Sequence, residues 1–417
     1  PPPPPPPPPP FFFHPQAATR DAQESRGLGD VYKRQVLSIH GDDRTDEYYW
    51  LSNRGDSKVI DYLNSENQYR EDFMEDYKSL EKDIFSEIKS RIKEDDSSVP
   101  YFDNGYFYYT RYEKDKQYPI YCRKKESLNS KEEILIDANI MSEGHEYFRV
   151  GDIEVSPNNK MMAYSIDTVS RRIYTIYFMD LETRKVSEKS IPNTSGSITW
   201  ANDNKTIFYN LKDLKTLRTE RVMKYNFNIE GSEKEIYYEG DETFSVYSYK
   251  TKSDKFIVIG SSATLSQEYR YIDANKPDGE IKLFDKRIDG LEYSISHFND
   301  KWYIVTNKDN ATNSKLMVCK EGETNSKNWV DFIPHRDDTL LLGVDIFKNF
   351  LVVTERSDGL TKIQIRPWNG EKSHYINFDE EAYSLYSSTN IEMNTNKFRY
   401  SYSSMTCLLY TSDAADE

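Results

Sequence analysis

The sequence has few cysteines and no long apolar run. Three of its 417 residues are cysteines, and Cys122 and Cys319, far apart in a chain of this length, do not make a disulfide framework. A reducing compartment is therefore expected, and we predict a cytoplasmic protein, with the periplasm left open. The mean hydropathy of −0.82 and the lack of a long apolar segment indicate that the chain does not span a membrane.

Basic residues are outnumbered. The chain has 55 lysines and arginines against 70 acidic residues, which gives a formal net charge of −15. Such an excess of negative charge argues against nucleic acid or an anionic membrane surface as a partner. We expect neither partner, and the composition leaves the oligomeric state open.

The short motifs of common catalytic sites are missing. No two glycines lie four residues apart, so the G-x-S-x-G nucleophile elbow does not occur. The sequence also has no Walker loop, H-E-x-x-H or C-x-x-C motif. We therefore predict no catalytic residue, no metal site and no cofactor in this chain. The densest polar segment holds Glu143, His145 and Glu146, and a plain surface loop is the competing interpretation of it.

The two ends of the chain differ in character from the rest. The first ten residues are all proline, and a proline run forms only an extended polyproline helix. Codons can be chosen for DVYKRQ (30–35) whose reverse complement, shifted by one base, encodes CLLYTS (407–412), as expected of adapters joined to both ends of a sequenced fragment. We predict that residues 1–35 and 407–417 are adapter-encoded, lie outside the fold and make almost no packed contacts. A genuine proline-rich linker and acidic tail is the alternative.

A helical pattern follows residue 35. Apolar residues recur at steps of three and four over much of 56–96, with charged residues between them, which is typical of an amphipathic helix. Pro100 disfavours helical backbone at the residue before it, so we expect the helix to stop by 95–100. We assign residues 36–98 to an N-terminal helical arm. Its apolar stripe consists of Ile60, Leu63, Phe73, Tyr77, Leu80, Ile84, Ile88 and Ile92.

Residues 99–406 are predicted to be strands throughout. A tight polar turn followed by a short β-favouring run recurs at intervals of 45 to 55 residues. A period of this length with several strands per repeat predicts a β-propeller. We expect six complete four-stranded blades and a truncated seventh, so the fold class is an all-β, seven-bladed propeller preceded by the helical arm. The turn residues are Gly105, Lys160, Lys205, Lys255, Lys301, Asn349 and Lys397.

Nine segments carry a family resemblance, in order along the chain. They are DEYYWL (46–51), VIDYLNSENQY (59–69), DDSSVPYFDNGYFYYTR (95–111), YPIYCR (118–123), SEGHEYF (142–148), SRRIY (170–174), WANDNKTIFY (200–209), IPHRDD (333–338) and YSYSSMT (400–406). The chain thus resembles the oligopeptidase B branch of the prolyl oligopeptidase family of serine peptidases. The resemblance implies an arm packed on an α/β-hydrolase domain, a propeller over the active site, and cleavage of short basic peptides after Arg or Lys. The catalytic Ser, Asp and His of such enzymes belong to the hydrolase domain, and this chain stops before that domain begins.

The same resemblance suggests roles for individual residues. Arg171 and Arg172 are expected at the cleft between propeller and hydrolase domain, where they make ion pairs that help set open and closed states. A solvated arginine pair is the alternative, and the polar segment at 143–146 is a weaker candidate for the same surface. Packing of the arm on the hydrolase domain, or else on the propeller, is expected from three aromatic residues, Tyr48, Tyr49 and Trp50.

Two classes of function stay open at this point. One is a fragment of a serine-type oligopeptidase whose propeller gates substrate access, inactive by itself because acyl transfer needs the full triad and oxyanion hole. The other is a stand-alone propeller that binds a peptide or a protein without catalysis. The arm favours the first class, because a free-standing propeller does not need DEYYWL followed by a long amphipathic helix.

Overall fold

The computed structural model describes residues 33–406 and 410–413, and the chain divides into two compact units, Pro1–Lys93 and Glu94–Glu417. We call the described part of the first unit the arm and the second the sheet unit. Among the helices of the described residues, none combines the length and the apolarity that a membrane crossing requires.

The arm consists of a hairpin, a short 3-10 turn and two helices. The hairpin pairs β1 (Gln35–Ile39) with β2 (Asp42–Asp46), and the 3-10 turn is Tyr49–Ser52. Helix α1 (Ser57–Met74) begins where the Asp56 carboxylate accepts a hydrogen bond from the Lys58 backbone N–H at 2.9 Å, as an N-cap residue does. A 3-10 turn (Glu75–Tyr77) separates it from α2 (Lys78–Ser90). The single helix predicted over 56–96 is therefore two helices, and the second ends at Ser90.

The apolar stripe of the arm is exposed. All eight of its residues keep between 45% and 62% of their surface accessible. Of the arm residues that the structure describes, only Trp50 and Val59 are buried. A helix pair stabilised by an apolar face needs something to cover that face, and the arm by itself does not supply the cover.

The sheet unit is built from antiparallel sheets formed by strands that are consecutive in sequence. The first sheet contains β3 (Tyr101–Asp103), β4 (Tyr106–Arg111), β5 (Ile120–Lys125) and β6 (Glu132–Asp137). A short helix, α3 (Ala138–Met141), leads to the second sheet, which contains β7 (Arg149–Val155), β8 (Met161–Asp167), β9 (Tyr174–Asp180), β10 (Val186–Trp200), β11 (Thr206–Lys212), β12 (Thr219–Asn226) and β13 (Lys234–Tyr238).

Four further sheets follow. The third contains β14 (Ser245–Lys250), β15 (Phe256–Ser262), β16 (Gln267–Asp273) and β17 (Lys282–Leu283). The fourth contains β18 (Tyr293–Phe298), β19 (Lys301–Thr306), β20 (Lys315–Lys320) and β21 (Val330–Ile333). The fifth contains β22 (Leu340–Ile346), β23 (Phe350–Ser357), β24 (Leu360–Pro367) and β25 (His374–Tyr375), and the sixth contains β26 (Tyr383–Ser387), β27 (Arg399–Ser404) and β28 (Tyr410–Asp413).

All seven predicted turns occupy the same place in the architecture. Each joins the first and second strands of a sheet or, for the turn at Lys205, β10 and β11 in the middle of the second sheet. The residue before Lys160, Lys205 and Lys255 has positive φ, between 56° and 60°, and Asn or Asp at these positions tolerates that conformation better than most residues. The sequence repeat thus marks a true structural repeat.

The second sheet differs from the expected pattern. We expected six separate four-stranded blades, but β10 pairs with β9 through its first half and with β11 through its second half, so two repeats form one seven-stranded sheet. The physical reason is the short connection between them. The chain passes from one repeat to the next through Asn193 and Gly196, both at positive φ, with register shifts and no intervening loop.

Of the chain ends predicted to make almost no packed contacts, the structure describes residues 33–35 and the strand Tyr410–Asp413, and both make backbone hydrogen bonds to neighbouring strands. Gln35 pairs with Asp46 in the arm hairpin. The backbone of Tyr410–Asp413 pairs with β27. An edge strand presents unpaired N–H and C=O groups to any extended segment nearby, which explains this second pairing. Residues 1–32, 407–409 and 414–417, on which the same expectation falls, lie outside the described residues.

The core of the sheet unit lies between successive sheets. One apolar cluster joins the first sheet to the second, and further clusters join each later sheet to the next in chain order. The largest buried side chains include Trp200 and Trp302. The last sheet also reaches the beginning of the unit, because the Arg399 guanidinium donates to the Val99 carbonyl at 2.8 Å. Sheets stacked face to face in sequence order, with the last touching the first, are typical of a propeller.

Candidate functional site

The direction of the strands sorts the connections of the sheet unit into two sets. In an antiparallel sheet the second strand returns to the edge at which the first strand began. We call that edge the start edge and the opposite one the far edge. The chain enters the first sheet at its start edge and leaves β27 at the start edge of the sixth. Lys160 and its equivalents lie at far edges, and the turn at Lys205 lies beside the turn at Lys160, because the Asn158 backbone N–H donates to the Asn204 Oδ1 at 2.7 Å.

The predicted arginine pair lies at the start edge of the second sheet. Arg171 and Arg172 sit in the turn between β8 and β9, and both are exposed. The buried Asp167 carboxylate accepts hydrogen bonds from the backbone N–H groups of Val169 (2.8 Å) and Arg172 (2.7 Å). Ser170 and Arg172 have φ of 62° and 54°, a conformation that costs free energy unless surrounding contacts hold it. Asp167 therefore fixes the backbone from which both guanidinium groups project.

Lys212, the last residue of β11, lies beside this turn. Its ammonium group donates to the Arg172 carbonyl at 2.6 Å. Burial lowers the pKa of Lys212, the positive charge of Arg172 lowers it further, and the negative charge of Asp167 opposes both. Asp167 and Lys212 are the last residues of equivalent strands, β8 and β11, and lie 45 residues apart. The fold thus brings together two cations that are distant in sequence.

Arg172 and Lys212 line a concavity of 610 Å³ at the start edge. The other residues that line it are Asp213, Thr216, Leu217, Arg218, Thr219, Glu220, Glu242 and Ser245.

Most acidic groups of this concavity are already engaged. The Asp213 carboxylate accepts hydrogen bonds from the Lys215 and Thr216 backbone N–H groups and from the Thr216 hydroxyl, at 2.6 to 3.0 Å. These bonds, those from Thr216 first, hold the pKa of Asp213 below its usual value. Glu220 pairs with Arg218 and Arg221, each at 3.1 Å. Among the ion pairs of residues 33–406 and 410–413, none includes Arg172 or Lys212.

The weaker candidates share the start edge but do not join the arginine pair. Glu143, His145 and Glu146 lie in the connection between β6 and β7 and are exposed. The His145 ring lies 6.0 Å from the Phe148 ring. No ion pair of the described chain links Glu143 or Glu146 to Arg171 or Arg172. The structure therefore places these residues at equivalent edges without assembling them into one cluster.

The three aromatic residues of the arm are not equivalent. Tyr48 and Tyr49 are each 48% exposed, whereas Trp50 is 8% exposed. The Trp50 ring contacts the Tyr62 ring at 5.7 Å, and the Lys33 ammonium lies 4.0 Å from its centroid. Trp50 is thus covered within the arm itself. The packing of Tyr48 and Tyr49 on another domain stays a prediction.

A second charged group gathers on the first strands of the sheets. Glu154 and Asp152 lie on β7, Asp103 on β3 and Lys250 on β14. Burial first, and then the charges of Asp152 and Asp103, raise the pKa of Glu154 to about 8, although the charge of Lys250 opposes them. Sequence reasoning missed this group because its members come from three separate repeats.

Comparison with known proteins adds a family to this geometry. The N-terminal β-propeller domain of prolyl oligopeptidase matches residues 31–412. The chain is 37% identical over 397 residues to dipeptidyl aminopeptidase BI of Pseudoxanthomonas mexicana, covering 90% of this chain and 55% of that protein. It is 30% identical over 375 residues to protease 2 of Moraxella lacunata, covering 88% of this chain and 54% of that protein. The chain thus spans about half the length of these relatives.

Solved structures give the same architecture. Oligopeptidase B from Leishmania major superposes with a TM-score of 0.84 at 26% identity, covering 92% of this chain and 58% of that one. The closed form of oligopeptidase B from Trypanosoma brucei, with covalently bound antipain, gives a TM-score of 0.83 at 26% identity and the same coverage.

Proposed function

Because the chain belongs to the prolyl oligopeptidase family, through the N-terminal β-propeller domain that matches residues 31–412, we propose that it forms the arm and propeller of a serine-type oligopeptidase. Each of the seven repeated hairpins is then the inner part of one blade. Strands beyond residue 406 complete the seventh blade in the whole protein. The catalytic Ser, Asp and His belong to an α/β-hydrolase domain of the whole protein that this chain does not include.

One observation carries the choice of an enzyme over a binding module. The arm exposes an apolar stripe along both of its helices, and an exposed face of that size is a docking surface. The hydrolase domain is the partner we assign to it. A stand-alone propeller has no use for such a face, so the binding-module alternative leaves the arm unexplained.

The reaction is the hydrolysis of short peptides after Arg or Lys, with the propeller limiting access to the active site. Support comes from the nine segments that resemble oligopeptidase B and from the likeness to protease 2 and to the two oligopeptidase B structures. A relative at 37% identity is named as a dipeptidyl aminopeptidase, so removal of N-terminal dipeptides is the competing activity. The two differ in whether a free N-terminus is required.

The arginine pair has a place in this scheme. Arg171 and Arg172 are exposed at the start edge of the second sheet, and the chain enters the first sheet at the same kind of edge. We assign the pair to ion pairs across the cleft, which stabilise the closed state when both domains carry the matching charges.

The test uses two fluorogenic peptides, each with Arg before the reporter, one blocked and one free at its N-terminus. The chain alone should show no turnover, because loss of the Ser or His of a triad costs about a millionfold. The enzyme encoded by the intact gene should cleave the blocked peptide and spare folded proteins. Cleavage of only the free peptide would assign the aminopeptidase activity instead. Cleavage of neither, together with tight binding of a partner by the chain alone, would establish the binding module.

A further inference from the structure

Arg172 and Lys212 form a cationic site, and neither side chain takes part in an ion pair among residues 33–406 and 410–413. The Lys212 ammonium donates a hydrogen bond to the Arg172 carbonyl, which is neutral, and not to a carboxylate. The negative charge of Asp167 offsets part of this positive charge, but its carboxylate oxygens accept two backbone N–H groups rather than hydrogen bonds from the two cationic side chains. Lys212 is partly buried and Arg172 is exposed, and their two positive charges repel each other, in a chain whose net charge is −15. An anion bound between the two side chains would neutralise their positive charge and remove this repulsion.

The shape of the site selects the kind of anion. The two cations line a concavity of 610 Å³ rather than a flat surface. Glu242 lies at the same concavity and is exposed, and Asp213 lies next to Lys212. These carboxylates repel an extended acidic surface, but a single carboxylate at the end of a chain can pass between them. Arginine and lysine together supply a planar pair of donors and a compact charge, which suits a carboxylate.

We propose that Arg172 and Lys212 bind the C-terminal carboxylate of the peptide substrate. The proposal rests on the function given above and adds a recognition element to it. A site that holds the end of the peptide fixes how far the cleaved bond lies from that end. The enzyme then favours short peptides with a free C-terminus because one end of the substrate is anchored on the propeller.

The experiment compares one labelled hexapeptide containing a single Arg, made as the C-terminal acid and as the C-terminal amide. Fluorescence anisotropy gives the Kd of each for the 417-residue chain. The acid should bind about tenfold more tightly, the effect of a charge-assisted hydrogen bond, and the advantage should shrink as salt is raised. Lys212→Gln and Arg172→Gln should each lower the ratio toward one. Lys205→Gln removes an exposed lysine in the turn just before β11, at the end of that strand away from Lys212, and should leave the ratio unchanged.

The outcomes separate this proposal from the proposed function. Equal Kd values for acid and amide in the unaltered chain overturn the proposal without reference to any variant. A tenfold ratio in the chain, with equal KM values for acid and amide in the whole enzyme, means that a carboxylate of the hydrolase domain occupies the site, and the peptide assignment is then wrong. Absence of cleavage of both peptides by the whole enzyme counts against the proposed function, while the ratio in the chain still decides the recognition site.

Discussion

The arm and the propeller draw on similar residues but bury them very differently. In the arm, Ile84 and Ile88 remain 48% and 57% exposed, and among the described residues only Trp50 and Val59 are covered. In the propeller, whole side chains such as Trp302 disappear between successive sheets. In a repeat of sheets, each sheet covers the apolar face of the next one. A helix pair with one apolar face has no such cover within itself. The propeller therefore buries its apolar residues within itself, whereas the arm leaves its apolar stripe exposed.

The largest expected effect is on the propeller core. Trp302→Ala removes a fully buried ring that contacts Phe256, Tyr271 and Phe284, and should lower the free energy of unfolding by about 3 to 5 kcal/mol. Phe85→Ala, at an arm ring that is 65% exposed, should change it by less than about 0.5 kcal/mol. Denaturant unfolding of both variants measures the contrast. Equal losses would erase the distinction between the two regions.

A buried ion pair in the propeller should give the next effect. Glu239 is 4% exposed and accepts hydrogen bonds from Arg287, from Ser261 (2.5 Å) and from Tyr237 (2.8 Å). Although burial opposes it, these partners, Arg287 first, lower the pKa of Glu239 to about 2. Its contribution is therefore present above pH 4.5, the ordinary pKa, and is lost as the pH falls toward 2.

Glu239→Gln should cost about 3 kcal/mol at pH 7, because it removes the buried carboxylate that pairs with the partly buried Arg287 and leaves only the more distant Asp241, and much less near pH 2. Glu235→Gln provides the control. Glu235 pairs with Arg221 at 2.5 Å but is about 42% exposed, and a surface pair of that kind contributes at most about 1 kcal/mol. Thermal unfolding at a series of pH values follows both variants, and a loss in Glu239→Gln that does not depend on pH would contradict the assignment.

The charged group on the first strands of the sheets should give the opposite dependence of stability on pH. Glu154 has its pKa raised to about 8 from an ordinary 4.5, so the folded state holds a proton that the unfolded state releases. The free energy of unfolding therefore falls as the pH rises from 4.5 through 8. Glu154→Gln, which resembles the protonated form, should be more stable than the parent above pH 8, by up to about 5 kcal/mol at about 1.4 kcal/mol per pKa unit, and equal to it near pH 4. Glu143→Gln, at an exposed position, should show no such change, and a parallel pH profile for the two variants would refute the role of Glu154.

The smallest expected effect belongs to the arm. Asp56→Ala removes the N-cap of α1 and should destabilise that helix by about 1 kcal/mol. Hydrogen exchange of α1 amides should accelerate, while propeller amides stay unchanged because the arm is a separate compact unit. Asp61→Ala, within the same helix, is the matched control. Slower or unchanged exchange in α1 would show that something other than its cap holds the helix.

The repeat of the propeller could be predicted from the sequence because each turn carries its own chemistry. Asn or Asp at positive φ before a lysine marks Lys160, Lys205 and Lys255 locally, without reference to the rest of the fold. The fusion of two repeats through β10 depends on hydrogen-bond register across Asn193 and Gly196, which no local pattern encodes.

In the arm, the sequence predicted the type of element but not its interruption. The stripe correctly predicted helix, but no proline or glycine lies between residues 56 and 94 to mark the 3-10 turn that interrupts it. In the candidate site, the sequence pointed to the arginine pair but not to Lys212. The adjacent arginines are visible in the sequence. Lys212 contacts Arg172 only because the fold places the ends of the equivalent strands β8 and β11 next to each other.

Strand β10 gives the second sheet a mechanical property that the other sheets lack. Its first half is bonded to β9 and its second half to β11, so a load that peels one half away is carried along a continuous backbone into the other. Under a pulling force, the two repeats should therefore unfold together. The third and fourth sheets share no strand and meet through packed side chains and the chain between β17 and β18, so a pulling force should detach them one at a time.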